Sequence, residues 1–143
     1  EVNTNMPTYL VDRTMHALNT YKKPKNGSKI LMIGPAYKPD VDNMGESPAL
    51  RIMNMLKKNG AEVSYYDPYL PTIPKNRDFA EWTGTTSVTW QESTISSFDA
   101  TIISTNHSNI NYAELAEWSS CVIDTRNAMN GLDPKGENHI FKA

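Results

Sequence analysis

The stretch KILMIGPAYKPDVDNMGESPALRIMNMLKKNGAEVSYYDP, from Lys29 to Pro68, decides the fold. Lys29 to Gly34 is a short apolar run closing on glycine, which is typical of a strand buried on both faces of a parallel sheet. A polar loop from Pro35 to Glu46 separates it from a helix, and the alternating segment Ala61 to Tyr66 follows as a second strand. Because a helix crosses between them, the two strands are expected to run in the same direction.

The helix between the two strands has signals at both of its ends. Ser47 is a suitable N-cap, and Pro48 fits the first helical position. Two lysines in the last turn precede Gly60, which is a common C-terminal signature. The apolar stripe that we expect to be buried consists of Ala49, Leu50, Ile52, Met53 and Leu56.

The rest of the chain continues this alternation with weaker signals. A helix is predicted over residues 5–23, either as a packing element on one face of the sheet or as the end of a helix entering from a preceding domain. Residues 68–85 are predicted to be irregular. The other predicted elements are a weak strand at Ser87–Trp90, a short helix at Ser93–Ser97, a strand at Asp99–Thr105, a helix at Asn111–Ser119 and a strand at Cys121–Asp124. The fold class is therefore α/β: a Rossmann-like, open, mostly parallel sheet with helices on both faces, a three-layer sandwich.

Composition excludes several classes of function. A chain of 143 residues with 38% hydrophobic residues suits one soluble globular domain, and no apolar run is long enough to span a membrane. A net charge of −2 gives no electrostatic reason to expect nucleic acid as a partner. The single cysteine, Cys121, cannot form an internal disulfide, which fits a reducing compartment. The chain lacks a recognisable signal peptide and an initiator Met, so we expect a piece of a longer protein.

Self-contained catalysis is not predicted. Gly34-Pro35-Ala36 does not continue as the G-x-G-x-x-G fingerprint of a dinucleotide site, and no Walker A or G-x-S-x-G motif occurs. The three histidines and Cys121 lack metal-ligand spacing, so no metal site is expected. His107 beside Ser108 is a weak catalytic candidate. No catalytic residue is therefore assigned to this chain.

Charged and aromatic residues do follow the predicted strands, at the sheet edge where α/β proteins bind ligands. Tyr37 and Lys38 come after the first strand, and Arg126 comes after the strand at Cys121–Asp124. Lysine and arginine are common partners of diphosphates, so their convergence favours an anionic ligand. The alternative is that Lys38 and Arg126 are surface charges paired with nearby aspartates (Asp40, Asp42 or Asp124). The strand ends as a group carry Gly34–Lys38, Asp67, Thr105–Ser108 and Asp124–Asn127.

The motif GPAYKPDVDNMGESP, with its helix and the closing GAEVSYYDP, resembles the C-terminal, UDP-binding domain of the UDP-glucose/GDP-mannose dehydrogenases. The family pattern there is G-x-A-F-K-x-x-x-x-D-x-R-E-S-P, a helix, and G-A-x-V-x-x-x-D-P. The N-terminal NTNMP resembles the family's N-x-x-M-P segment, and Asp124-Thr125-Arg126-Asn127 resembles its D-T-R-N. The similarity runs in order along nearly the whole chain, and it is nearest to bacterial enzymes acting on UDP-glucose or UDP-N-acetylhexosamines.

The resemblance implies roles for individual residues. Tyr37 and Lys38 fall where the family's Phe-Lys pair contacts the nucleotide sugar, and Arg126 falls where an arginine contacts it from the late strand. Gly45 stands where the family has an arginine that reaches NAD, so no cofactor-binding residue is expected in this chain.

The resemblance also implies a larger protein around this chain. Residues 1–27 would be a helix and connector from a preceding central domain, and residues 28–143 would be the UDP-sugar-binding domain. NAD would be bound mainly by an N-terminal domain, and the whole enzyme would be a cytoplasmic homodimer that oxidises the sugar C6 alcohol for polysaccharide biosynthesis. The chain alone would be inactive. The alternative, which Gly45 favours, is a free-standing nucleotide-sugar-binding or assembly module that has lost the dehydrogenase chemistry.

Overall fold

The computed structural model describes residues 12, 28–35, 49–75, 80–126, 128–129 and 140–142. Five parallel strands form one sheet in the order β2-β1-β3-β4-β5, which confirms the predicted α/β class and parallel topology. The strands are β1 (Lys29–Ile33), β2 (Glu62–Tyr66), β3 (Ala100–Ile103), β4 (Val122–Asp124) and β5 (Ile140–Lys142). The last of these was not predicted from the sequence.

Helices cover both faces of the sheet, as the three-layer prediction required. They are α1 (Ala49–Lys58), α2 (Glu92–Ile95) and α3 (Tyr112–Trp118), with a 3-10 helix at Ala80–Trp82. Side chains of β1 alternate between two cores, because successive strand residues point to opposite faces. Ile30 and Met32 pack in the core that contains the buried residues of α1, and Leu31 and Ile33 pack in the core that contains those of α2 and α3.

The ends of the helices follow the sequence signals wherever these lie in the described residues. All five residues of the predicted stripe of α1 are buried. Just past the helix, the Ala61 N–H donates to the Leu56 carbonyl at 3.1 Å. The Asn111 side chain caps α3 by accepting the Glu114 N–H at 3.1 Å. Ser47, Pro48 and the predicted helix over residues 5–23 lie outside the described residues, apart from Asp12.

The predicted strand at Ser87–Trp90 is wrong, although the segment does lie beside β2. The Val88 N–H donates to the Tyr65 carbonyl at 2.8 Å, while the Ser87 N–H donates to Pro71. The Ser87 hydroxyl also accepts the Asp67 N–H at 3.0 Å. Because Ser87 bonds to the turn that follows β2, the segment covers the end of this edge strand without forming a ladder with it.

The strand register aligns the C-terminal ends of four strands. Ile33 of β1 lies opposite Tyr66 of β2 and Ile103 of β3, and Ile103 lies opposite Asp124 of β4. The residues at or just after these ends therefore lie at the same edge of the sheet, which we call the carboxyl edge. Its described members are Gly34, Asp67, Ser104, Thr105, His107, Asp124, Thr125 and Arg126.

Candidate functional site at the carboxyl edge

Ser104 connects the end of β1 to Arg126. Its backbone N–H donates to the Ile33 carbonyl at 2.9 Å, and its own carbonyl accepts the Arg126 Nε–H at 2.9 Å. The Arg126 side chain is nevertheless exposed. The structure thus fixes the guanidinium through Nε, and within the described part of the chain no ion pair uses its two terminal nitrogens.

Asp124 shapes the loop that carries Arg126. One carboxylate oxygen accepts the backbone N–H groups of Arg126 and Ala128, each at 3.0 Å, and the other accepts that of Met129 at 2.8 Å. Beside it, the Thr125 hydroxyl donates to the Ile103 carbonyl at 2.6 Å. The alternative that Arg126 and Asp124 are paired surface charges is therefore wrong. The Asp124 carboxylate accepts the backbone N–H of Arg126, and the Arg126 guanidinium donates to the Ser104 carbonyl.

A buried Asp67–His107 pair joins the ends of β2 and β3. The His107 Nε2 lies 3.1 Å from each carboxylate oxygen of Asp67, and both side chains are fully buried. The Tyr69 N–H also donates to Asp67 at 2.9 Å, and the Tyr69 ring lies 5.0 Å from that of His107. Sequence reasoning placed both residues at the strand ends but did not pair them. His107 is thus a buried part of the carboxyl edge.

Gly34 directly precedes the predicted loop, Pro35 to Glu46, that contains the other predicted contact residues. Its φ of +74° suits glycine, and its backbone N–H donates to the Tyr66 carbonyl at 2.9 Å. Tyr37, Lys38 and Gly45 lie outside the described residues, so their predicted roles stay predictions. Arg126 is the one predicted contact residue that the structure describes, and it lies at the predicted edge.

Other site chemistries have little support in the described part of the chain. No group of three or more metal-ligating residues occurs there, and none of its helices is long and apolar enough to cross a membrane. Burial raises the pKa of the Cys121 thiol to about 12, so this cysteine is a poor nucleophile at neutral pH.

The described residues also do not fit a dinucleotide cofactor. A dinucleotide site needs a tight glycine-rich turn from the first strand into its helix. In the sequence, Gly34 at the end of β1 is followed by Pro35 and Ala36, so the second glycine of that turn is missing.

Comparison with known proteins agrees with this geometry. The sequence profile of the UDP-glucose/GDP-mannose dehydrogenase family, UDP binding domain, matches residues 31–131. The chain is 39% identical over 71 residues to a UDP-N-acetyl-D-mannosamine dehydrogenase of Methanococcus maripaludis, covering 48% of this chain and 16% of that protein. It is 27% identical over 128 residues to an NDP-N-acetyl-D-galactosaminuronic acid dehydrogenase of Ralstonia solanacearum, covering 88% of this chain and 28% of that protein.

The fold also matches solved structures. A UDP-D-ManNAc dehydrogenase from Pyrococcus horikoshii superposes with a TM-score of 0.75 over 98% of this chain, at 23% identity. This identity establishes likeness of fold alone. The chain corresponds to 31% of that structure and to 16% and 28% of the two curated relatives.

Proposed function

Because the chain belongs to the UDP-glucose/GDP-mannose dehydrogenase family as its UDP-binding domain, we propose that it binds a UDP-sugar at the carboxyl edge. The parent protein is then an NAD-dependent nucleotide-sugar 6-dehydrogenase that oxidises the C6 alcohol to a carboxylate. In this proposal the catalytic groups and the NAD site lie in N-terminal and central domains outside these 143 residues. The family resemblance further supports a cytoplasmic homodimer.

The observation that carries the proposal is the Arg126 guanidinium at this edge. Arginine binds phosphate oxygens through parallel N–H donors, and it gains specificity when its fork is held in one orientation. The bond from Nε to the Ser104 carbonyl supplies that restraint at 2.9 Å, while the side chain remains exposed to a ligand. We therefore assign Arg126 to the diphosphate of the UDP-sugar.

Tyr37 and Lys38 complete the proposed site from the neighbouring strand. The predicted loop that carries them follows Gly34, which lies beside Ser104. The Ser104 N–H donates to the Ile33 carbonyl, and the Ser104 carbonyl accepts the Arg126 Nε–H. A lysine near the diphosphate adds a second positive charge, and a tyrosine ring offers a stacking surface and a hydroxyl. This placement supports the proposal that both loops bind the same ligand.

Gly45 favours a second candidate function. The family pattern has an arginine at this position, and that arginine reaches NAD. Its replacement supports a module that binds nucleotide sugars without oxidising them. Measuring NAD reduction by the parent protein with UDP-sugars separates the two, because only the dehydrogenase produces NADH.

Calorimetric titration of the chain with UDP tests the binding proposal. We expect Arg126→Ala to weaken UDP binding by roughly tenfold or more, since a charge-assisted bond contributes about 1.5–3 kcal/mol. Lys58→Ala is the matched control. It removes an exposed positive charge from the last turn of α1, which lies next to the start of β2 and away from the carboxyl edge. We expect it to change the affinity less than about twofold, since surface charges at that distance are screened. Equal affinity for uridine and UDP, or no effect of Arg126→Ala, would contradict the assignment to the diphosphate.

A further inference from the structure

We propose that Asp124 is a positioning residue for UDP-sugar binding, acting through Arg126 without touching the ligand itself. This inference rests on the proposed function, because it concerns how the chain presents the Arg126 guanidinium. Asp124 has no role in the binding site as proposed above, and this inference gives it one.

The first support is the arrangement of hydrogen bonds around the Asp124 carboxylate. Three backbone N–H groups of the following loop, those of Arg126, Ala128 and Met129, converge on its two oxygens at 2.8–3.0 Å. The carboxylate therefore fixes the loop on both sides of residue 127, and with it the backbone from which the Arg126 side chain leaves. A side chain without two acceptor oxygens could not hold all three groups.

The second support is the burial of Asp124 together with the kind of partner it has. The residue is 1% exposed, so its charge has lost almost all contact with water. Buried carboxylates are costly unless paired or well hydrogen-bonded. Within the described residues no cation pairs with this one, and the N–H groups of its own loop are its hydrogen-bond partners. Its negative charge is thus used to set the conformation of this loop.

The third support is that Arg126 is held at two separate points. Asp124 fixes its backbone N–H, and the Ser104 carbonyl, at the end of the adjacent strand, fixes its Nε–H. The first bond favours the second, because a fixed loop backbone keeps the guanidinium within reach of the Ser104 carbonyl. Preorganisation of this kind lowers the entropic cost of ligand binding.

The test combines UDP calorimetry with NMR of the 143-residue chain. Asp124→Asn is the principal variant, because it keeps one acceptor oxygen for Arg126 and Ala128 and removes the acceptor for Met129. We expect about a three- to tenfold loss of UDP affinity, because the lost hydrogen bond holds the loop and not the ligand, so only part of its free energy appears in binding. We also expect faster solvent exchange of the Arg126 Nε–H, with the exposed Arg51 Nε–H as an internal reference.

A double variant separates positioning from an independent effect. If Asp124 acts through Arg126, Asp124→Asn combined with Arg126→Ala binds UDP within about twofold of Arg126→Ala alone, because coupled residues are not additive. Ile52→Val is the stability control, because it removes one buried methyl group of α1 and changes no residue of the carboxyl edge. It should leave both the UDP affinity and the Arg126 Nε–H exchange unchanged.

Each other outcome overturns the inference in a recognisable way. If the two losses multiply in the double variant, Asp124 acts independently of Arg126. If Asp124→Asn binds UDP as tightly as the original chain, or leaves the Nε–H exchange unchanged, it has no positioning role. If Arg126→Ala itself leaves UDP binding intact, the proposed diphosphate contact fails and the inference falls with it.

Discussion

Gly34 lies so close to Thr105 that a Cβ atom at position 34 would be 2.8 Å from the Thr105 carbonyl oxygen and 3.0 Å from its Cβ. The Gly34 φ of +74° adds a second restriction, because side-chain-bearing residues rarely adopt it. Gly34→Ala is therefore expected to destabilise the fold by about 2–4 kcal/mol, combining backbone strain with displacement of Thr105. Urea unfolding monitored by circular dichroism measures this loss.

Gly84 provides the matched control for this substitution. Its φ of +87° imposes a similar backbone strain, but a Cβ there would meet nothing within 4 Å. Gly84→Ala should therefore cost only about 1–2 kcal/mol. Equal losses for the two variants would show that the approach of Gly34 to Thr105 contributes nothing to stability.

Much of the fold could be predicted because the strongest sequence signals report burial. The continuous apolar run at Lys29–Ile33 and the stripe of α1 both became core elements at the predicted positions. β5 was missed because three residues, Ile140–Lys142, are too short to show a period. The segment at Ser87–Trp90 has strand-forming residues, but Ser87 bonds to the turn after β2 and prevents a ladder.

The position of Arg126 at the carboxyl edge was predictable, but its contacts were not. The expected alignment of parallel strand ends placed Arg126 at the carboxyl edge, where the structure has it. Its contact with the Ser104 carbonyl and the bonds of Asp124 to its own loop depend on backbone geometry that no residue pattern specifies. The Asp67–His107 pair joins residues that lie forty positions apart, so only the register of β2 and β3 on β1 brings them together.

The Asp67–His107 pair is expected to stabilise the carboxyl edge. His107→Ala removes a hydrogen-bond partner 3.1 Å from a fully buried carboxylate and leaves a cavity, which together should cost about 2 kcal/mol or more. Chemical denaturation of this variant measures the loss. Asp67→Asn should be milder, because the amide keeps an acceptor oxygen and is cheaper to bury than a carboxylate.

The double variant tests whether this cost comes from the pair. In the Asp67→Asn background, His107→Ala should cost at least about 1 kcal/mol less than in the original chain, since no buried charge is left behind. If the two substitutions prove additive, the loss comes from the cavity left by the imidazole and not from the lost pairing.

Cys121 is expected to be unreactive in the folded chain and to make stability fall at alkaline pH. Burial raises the pKa of its thiol from 9.0 to about 12. Below pH 9 both folded and unfolded chains keep the proton, whereas between pH 9 and 12 only the unfolded chain loses it. Stability therefore falls as the pH rises through this window, by up to about 1.4 kcal/mol per pH unit.

Two measurements check the behaviour of Cys121. Alkylation by iodoacetamide at pH 8 should be slow in the folded chain and fast in urea. In Cys121→Ala, the unfolding free energy should fall less steeply between pH 9 and 11, even though the lost sulfur lowers it at every pH. Native alkylation at the rate of an exposed cysteine, or identical slopes in both chains, would contradict the burial argument.

The Tyr65 hydroxyl is expected to stabilise the packing of β2 against the segment that follows it, residues 68–85. Its buried hydroxyl donates its single proton to the Leu70 carbonyl at 2.7 Å, and the Thr85 carbonyl at 3.2 Å is a second, weaker acceptor. Tyr65→Phe keeps the ring in the core but removes this donor from the Leu70 carbonyl, while the Thr85 carbonyl still accepts the Ile73 N–H at 2.9 Å. The substitution should cost about 1–3 kcal/mol in urea unfolding at pH 7.

The same substitution should change the alkaline behaviour of the chain. Burial, and secondarily the charge of Asp67, raise the pKa of Tyr65, so above pH 10 the unfolded state ionises while the folded state keeps the proton. The original chain thus loses stability as the pH rises above 10, and Tyr65→Phe lacks this part of the loss. The difference between the two unfolding free energies should therefore shrink from pH 7 to pH 11. A constant difference would mean that the hydroxyl ionises as readily in the folded chain as in the unfolded one.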